Sequence, residues 1–297
     1  MKTQEAELNK ESLGDRIKRY ESQYEMDISP ESEIIVRIDG HHFSAFTKGF
    51  DKPFDAALSE AMVRTTEDLL DRFSAYAAYS QSDEITLYIP SLKDVPNAHQ
   101  RIRDNWTHQF SGRTQKISSL VAAYTTMRFN KHLRDIFNEK LYCHREQFED
   151  AFKRTREEEE SEKYLDILEN KLDLAYFDAR VFGVPDKAEV FNSFMFRGRD
   201  NEKNSKSQFA QAHCNHKELL HKNGAEQIQY TLEETGKDWN ATEDKYKYGT
   251  LVKKELYMKE TEAGNVQRSR TKRIYQKFTE FSEENVKLIC PQYLDSL

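Results

Sequence analysis

The sequence predicts an α+β fold: a ferredoxin-like sheet of order β-α-β-β-α-β, followed by a helical and β-hairpin C-terminal extension. Three observations predict it. A short alternating strand at 34–39 precedes a long amphipathic helix, and a hairpin at 75–81 and 85–89 follows that helix. A second helix covers 111–129 and a further strand covers 179–184. No apolar run approaches the roughly 20 residues of a membrane span.

The chain has 297 residues, enough for one large domain or two modest ones. Hydrophobic residues make up 37% and charged ones 33%, with a mean hydropathy of −0.89, which reads as a polar, soluble chain. Eighteen Phe and 15 Tyr are too many for a disordered one. "MKTQEAELNKESLGDRIKRYE" lacks the apolar centre of a secretory signal. Cys143, Cys214 and Cys290 stand at unrelated spacings, which points to a reducing cytoplasm and no disulfide framework. The net charge of −7 argues against indiscriminate nucleic-acid binding but leaves room for a local basic groove.

Residues 5–26 read as a charged, weakly amphipathic helix, and Ile34 to Asp39 as a strand. In "DKPFDAALSEAMVRTTEDLLDRF", Pro53 suits a first helical turn. Phe54, Ala57, Leu58, Ala61, Met62, Thr65, Leu69 and Phe73 then form a helical stripe. In the hairpin Ile85, Leu87 and Ile89 share one face, and Pro90 ends it. The second helix turns Ile117, Leu120, Val121 and Tyr124 inward. Residues 153–172 form a charge-laced helix with Glu159 and Lys163 at i, i+4, a solvated or partner-packing arm. Residues 190–240 are mostly helical, and 245–277 form a hairpin turning at Gly264-Asn265. No repeat or Pro/Gly-rich linker appears; the division expected is 1–185 and 186–297.

Two strand ends break in acid: Asp39-Gly40, and Ser82-Asp83-Glu84. In a sheet of this order the first strand and the hairpin lie side by side, so Asp39 faces Asp83 and Glu84. Converging carboxylates repel unless cations lie between them. Mg²⁺ suits oxygen ligands, and two ions about 3.5–4 Å apart serve phosphoryl transfer. Gly40, without a β-carbon, lets its carbonyl approach an ion and its amide a phosphate. Arg113 and Lys116 at a helix start, with Lys52, suit a triphosphate tail. Taken singly, each acidic break also reads as a turn or a polar hairpin tip.

Several segments together resemble the tRNA-His guanylyltransferase family, the reverse (3′-to-5′) polymerases. They are "LGDRIKRYE", "RIDGHHFSAFTKGFDKPFD", "YSQSDEITLYI", "GRTQKISSLVAAYTTM", "FMFRGRDNEKNS" and "NHKELLHKNG…GKDWN…YKYGTLVKK". They cover most of 11–255, with 143–173 as a charged helical insertion. The resemblance implies a polymerase-like palm that adds a nucleotide, typically G, to the 5′ end of tRNA. It implies Asp39 and Asp83 as holders of two Mg²⁺ ions, the Gly40 carbonyl as a further ligand, and Glu84 as a supporting catalytic residue. Asp39, Gly40, His41, His42, Phe43 and Ser44 with Ser82 and Asp83 would cradle the nucleotide, while Lys52, Arg113 and Lys116 meet triphosphate oxygens. ATP would activate a 5′-monophosphate, and the GTP 3′-hydroxyl would then attack. Asp55, in the K-P-x-D pattern, would be a helix-start cap. Family members assemble as tetramers.

The segment after "RGRDN" departs from the eukaryotic H-I-N-N-L-Y-N. Glu202 replaces the His, Asn204 is retained and Gln208 stands where the last Asn would be. Ser44 also replaces a His common in eukaryotes. The pattern is nearer the bacterial and viral relatives, whose addition is templated and repairs 5′ ends. By resemblance, Asn204 and Lys222 contact RNA or nucleotide.

His213, Cys214, His216 and His221 have no partner Cys-x-x-Cys to close a structural zinc site, and a helix with polar or RNA-facing residues is the reading here. In "QRSRTKR", Arg268, Arg270 and Lys272 share one strand face, a basic stripe for a phosphate backbone or a charged edge. Arg197, Arg199, Lys203 and Lys206 could add to an RNA face. His41 and His42 have no partner visible in sequence and take no acid–base role. Two other readings stay open: a palm-type nucleotidyl cyclase acting on nucleotide alone, and a catalytically idle tRNA-binding protein.

Overall fold

The computed structural model describes residues 11–91, 107–148, 155–261 and 264–290. Six antiparallel strands form one sheet in the order β4-β1-β3-β2-β5-β6. They are β1 (Glu33–Gly40), β2 (Ala77–Gln81), β3 (Glu84–Ile89), β4 (Phe177–Val184), β5 (Thr250–Thr261) and β6 (Gly264–Ile274). The first four, with their two helical connections, are the ferredoxin-like order the sequence predicts.

The helices are α1 (Leu13–Ser22), α2 (Phe43–Phe46), α3 (Ala56–Arg72), α4 (Thr114–Phe148) and α5 (Arg156–Glu169). After β4 come α6 (Lys187–His213), α7 (His216–Leu219), α8 (Gly224–Thr235), α9 (Asp244–Tyr248) and α10 (Glu283–Ile289).

Strand alternation divides the core between the two sheet faces. Ile34, Val36 and Ile38 of β1 join Ile85, Leu87 and Ile89 of β3 beneath α3 and α4. Leu69, Val121, Phe129 and Leu133 fill that layer, each worth about 1.5–3 kcal/mol when fully buried. On the other face Ile35, Tyr79 and Tyr88 pack against Val190, Phe191 and Phe194 of α6, closed by Phe278. Gly249 (φ +74°) sits where a β-carbon would come within 2.5 Å of the Tyr79 hydroxyl, which donates to the Tyr248 carbonyl at 2.6 Å.

The structure shifts several expected boundaries. Pro53 precedes α3 instead of opening it. Asp55 captures the Leu58 amide at 2.8 Å and so sets the helix start at Ala56, three residues later. Leu120 is 39% exposed, because a step of about 100° from buried Val121 carries it off the stripe. The helix carrying it continues to Phe148. The charged segment forms α5, opened by a Thr155/Glu158 capping box, and docks on its own chain through Leu165 and Leu168. Tyr164 of α5 donates to Asp55 Oδ2 at 2.7 Å. The helix expected over 5–26 spans Leu13–Ser22, and residues 1–10 lie outside the described ones.

The C-terminal hairpin starts at Thr250, because 244–248 are helical. Gly264 and Asn265 open β6 rather than forming the turn: Gly264 already pairs with Thr261, and the connecting 262–263 lie outside the described residues. β5 pairs with β2 only over Thr250–Lys253, so the rest of the hairpin runs on as a two-stranded ribbon. Among the described residues no helix is long and apolar enough to cross a membrane.

Candidate active site

The exit of β1 and the β2–β3 turn meet at one end of the sheet. In the antiparallel register Asp39 faces Glu84 on β3 and Asp178 on β4. The Gly40 amide donates to the Asp83 carbonyl at 3.1 Å, tying the two acidic breaks together. Ser82 takes a left-handed φ of 48° to make the two-residue turn. Phe43, buried among Phe46, Phe129 and Phe177, lies so close that a β-carbon on Gly40 would sit 2.3 Å from its ring.

The electrostatics mark Asp39 and Asp83 as carboxylates short of positive charge. Burial raises the Asp39 carboxyl above its ordinary range, and Glu84 and then Asp178 raise it further, against Arg180 and Arg37. Burial likewise raises Asp83, with Asp39 and Glu84 adding to the rise and hydrogen bonds at Asp83 and Ser82 opposing it. Among the described residues neither makes a salt bridge. Glu84 differs: Arg197 of α6 and Gln81 Nε2 (3.1 Å) bind it, with Arg37 at 3.8 Å. Arg197 also reaches Asp200 at 3.2 Å.

This donor set fits a divalent cation. Two carboxylates and the Gly40 carbonyl are hard oxygen donors, and the carboxylates repel each other without an ion. Among the described residues no group of three His, Cys, Asp or Glu side chains stands ready to hold a metal. Two carboxylates with a carbonyl match how Mg²⁺ is usually held, by one or two carboxylates with water and phosphate completing its shell. The same statement covers His213, Cys214, His216 and His221, which gather into no such group.

A cleft of about 650 Å³ opens beside the turn, between the start of α3, the end of α6 and α9. Of the sequence-predicted residues, Phe43, Ser44, Lys52, Ser82 and Asp83 line it. His41 and His42 are exposed near it, with the His41 ring 4.8 Å from Tyr176. The cleft also takes Gln81, Asn201, Gln208, Lys245 and Tyr246, which sequence reasoning did not assign to it. Phe54 and Tyr246 stack there at 4.9 Å. Gln81 adjoins Ser82, but Asn201, Gln208, Lys245 and Tyr246 lie 162 to 207 positions from Asp39, and no local pattern announces them.

Arg113 and Lys116 are not brought to this end within one chain. Ile28 N bonds the Gly112 carbonyl (3.0 Å) and Thr114 N the Met26 carbonyl (2.9 Å), so α4 begins beside the entry of β1. Its Thr126 hydroxyl, about three turns on, meets the amide of Phe177, which pairs with Gly40. The topology explains this: β3 runs away from the site, and α4 begins at the end of the sheet toward which β3 runs.

Arg197, read as a possible RNA-facing residue, is instead buried, because its guanidinium is drawn in by Glu84. Arg199 donates to the Thr279 carbonyl, Lys206 pairs with Glu202, and Lys203 is exposed. Glu202 also binds Lys277. Asn204 is exposed and bonds Asp200 at 3.4 Å; Lys222 caps the Glu218 carbonyl and lies over Tyr230. Arg268, Arg270 and Lys272 share one face of β6, where Arg270 and Lys272 both bind Glu255 and Arg268 is exposed.

Comparison with known proteins places this geometry in context. The family model described as Thg1, tRNAHis guanylyltransferase, matches residues 14–185. An uncharacterized protein, R259, of Acanthamoeba polyphaga mimivirus is 32% identical over 249 residues, covering 83% of this chain and 78% of that protein. A bacterial tRNA(His) guanylyltransferase (Thg1)-like protein in complex with ATP superposes with a TM-score of 0.69 at 31% identity, covering 94% of this chain and 99% of that one. The corresponding complex with GTP gives 0.61 at 29% identity, with 90% and 92% covered. The tRNA(His) guanylyltransferase of Saccharomyces cerevisiae, at 20% identity and a TM-score of 0.54 over 84% and 94%, shares the fold.

Proposed function

This chain belongs to the tRNA-His guanylyltransferase family of nucleotidyltransferases, and on that premise we propose that it adds guanylate, or templated nucleotides, to the 5′ end of tRNA in the 3′-to-5′ direction. One observation carries the reading: the raised carboxylates of Asp39 and Asp83, which make no salt bridge among the described residues, with their two strand ends joined by the Gly40–Asp83 backbone hydrogen bond beside a nucleotide-sized cleft. The ATP and GTP bound by bacterial relatives support it.

Asp39, Asp83 and the Gly40 carbonyl would hold two Mg²⁺ ions. Bound there, magnesium neutralises triphosphate charge and favours ionisation of an attacking hydroxyl. Glu84, fixed by Arg197, keeps the turn in register beside them. Lys52 supplies a cation to phosphate oxygens, while Ser44, Ser82 and the 40–44 backbone supply donors. Arg113 and Lys116, at the far end of the sheet, have no part in this reading. In the first step a 5′-phosphate oxygen of the RNA attacks the α-phosphorus of ATP, releasing pyrophosphate. In the second, the 3′-hydroxyl of GTP attacks the RNA 5′-phosphorus, loses its proton and expels AMP.

The RNA would follow Arg268, Arg270 and Lys272 on the ribbon, with Asn204 and Lys222 as further contacts. The apolar stripe of Leu13, Ile17, Tyr20 and Tyr24, exposed among the described residues, supports assembly, read here as a cytoplasmic homotetramer. The test incubates a panel of 5′-truncated tRNAs with labelled GTP, with and without ATP. Extension at the 5′ end, ATP-dependent on 5′-monophosphate substrates, is expected. Tight RNA binding without any extension would refute the reading, and a cyclic product without RNA would replace it with a cyclase.

A further inference from the structure

Gln81 ends β2 beside the Ser82-Asp83 turn and lines the cleft. It is only 6% exposed, and its Oε1 has no hydrogen-bond partner among the described residues. Buried polar atoms are nearly always paired, so an unpaired acceptor in the wall of a cleft asks for a donor. The amide cannot simply turn over to remove the problem. Its Nε2 donates to Glu84 Oε2 at 3.1 Å, and reversal would set the amide oxygen against that carboxylate. Glu84 is itself fixed by the buried Arg197. The orientation of Gln81 is thus dictated from behind, and the acceptor is what remains.

The chemistry of the ligand then narrows the donor. A triphosphate chain carries only acceptor oxygens at neutral pH and cannot satisfy Oε1. Ribose hydroxyls and base N–H groups can. Asp83, where the phosphates are read to bind, is two residues from Gln81, which leaves the sugar or base to pass the amide. We propose that Gln81 Oε1 is a selectivity point of the nucleotide site, accepting a hydrogen bond from the nucleoside half of the bound nucleotide. This rests on the reading of the cleft as a nucleotide site. Asn201 and Gln208 of α6, which line the cleft from its far wall, would contribute further amides to the same half of the ligand.

The test is calorimetric, on the full chain with magnesium and without RNA, for wild type, Gln81→Met and Gln81→Asn. The first variant removes the acceptor and the second withdraws it, and a melting curve for each checks the fold. The ligands are GTP, 2′-deoxyGTP, 3′-deoxyGTP, inosine triphosphate, 1-methylguanosine triphosphate and inorganic tripolyphosphate. Both variants are expected to bind GTP about tenfold more weakly and tripolyphosphate as wild type does. One analogue should bind wild type about tenfold more weakly and lose nothing further in the variants, which identifies the hydroxyl or N–H that Gln81 reads. Losses that add for every analogue, as when an ordered water fills the acceptor, would overturn the proposal. So would tripolyphosphate weakened as much as GTP, which would leave the amide only a support for Glu84. Wild type that binds none of the nucleotides would instead remove the cleft assignment beneath it.

Discussion

Gly40→Ala tests the junction of β1 with the hairpin turn. The added methyl would lie 2.3 Å from Phe43 Cδ2, and ordinary contact begins at 3.4 Å, so something must yield by about 1.1 Å. Phe43 has little freedom to do so, with Phe46, Phe177 and Phe129 at ring-centre distances of 4.9, 5.0 and 5.7 Å. Overpacking of this kind costs about 1–3 kcal/mol, which lowers Tm by about 2–12 °C in a chain of this size. The strain also falls on the peptide that bonds the Asp83 carbonyl, and a displacement of about 1 Å in a catalytic constellation costs about 100-fold in rate. Melting curves and single-turnover 5′ addition measure the two effects. Gly14→Ala is the control: among the described residues only Ser12 Oγ lies within reach, at 3.8 Å, and α1 gains helix propensity, so neither reading should fall. Unchanged melting and unchanged addition in Gly40→Ala would refute the argument that this glycine exists for close approach.

Asp83→Asn should abolish addition while steadying the metal-free protein at neutral pH. A carboxyl whose folded pKa is raised penalises the fold above its unfolded pKa, so stability falls as pH rises from there through the folded value. The Asn variant should therefore show a flatter loss of Tm over that window and no magnesium-induced rise in Tm; an identical pH slope would contradict it. Glu84→Gln leaves buried Arg197 with Asp200 alone and should cost about 1–3 kcal/mol by denaturant midpoint, with Mg²⁺ binding retained. A stability equal to wild type would mean that the ion pair contributes nothing. Arg270→Ala with Lys272→Ala should weaken RNA binding and reduce its salt slope by about 1–2, with GTP affinity unchanged. An unaltered slope would take the ribbon out of the RNA path.

Much of this architecture was legible from two periodicities. Ile34, Val36 and Ile38 alternate as a half-buried strand must, and so do Ile85, Leu87 and Ile89, so their pairing brings Asp39 to the Ser82-Asp83 turn without any long-range knowledge. The helix stripes followed from the 3.6-residue repeat, and Asp55 from the preference of caps for short acidic side chains. What was not legible depends on where chain segments return. The positions of Arg113 and Lys116 follow from the direction in which β3 leaves the site, not from residue type. The burial of Arg197 depends on Glu84 lying across from it, 113 positions away. The far wall of the cleft comes from the end of α6 and from α9, whose polar residues look like any solvated surface until the sheet folds against them.

The bond from Tyr164 to Asp55 has a consequence for how this protein tolerates change. One carboxylate both closes the amino end of α3 and anchors an acidic arm that lies outside the strand–helix framework. A truncation or loop-length alteration around α5 would therefore be felt at the amino end of α3, where Asp55 also lines the cleft, so two parts of the chain far apart in sequence stand or fall on one oxygen pair.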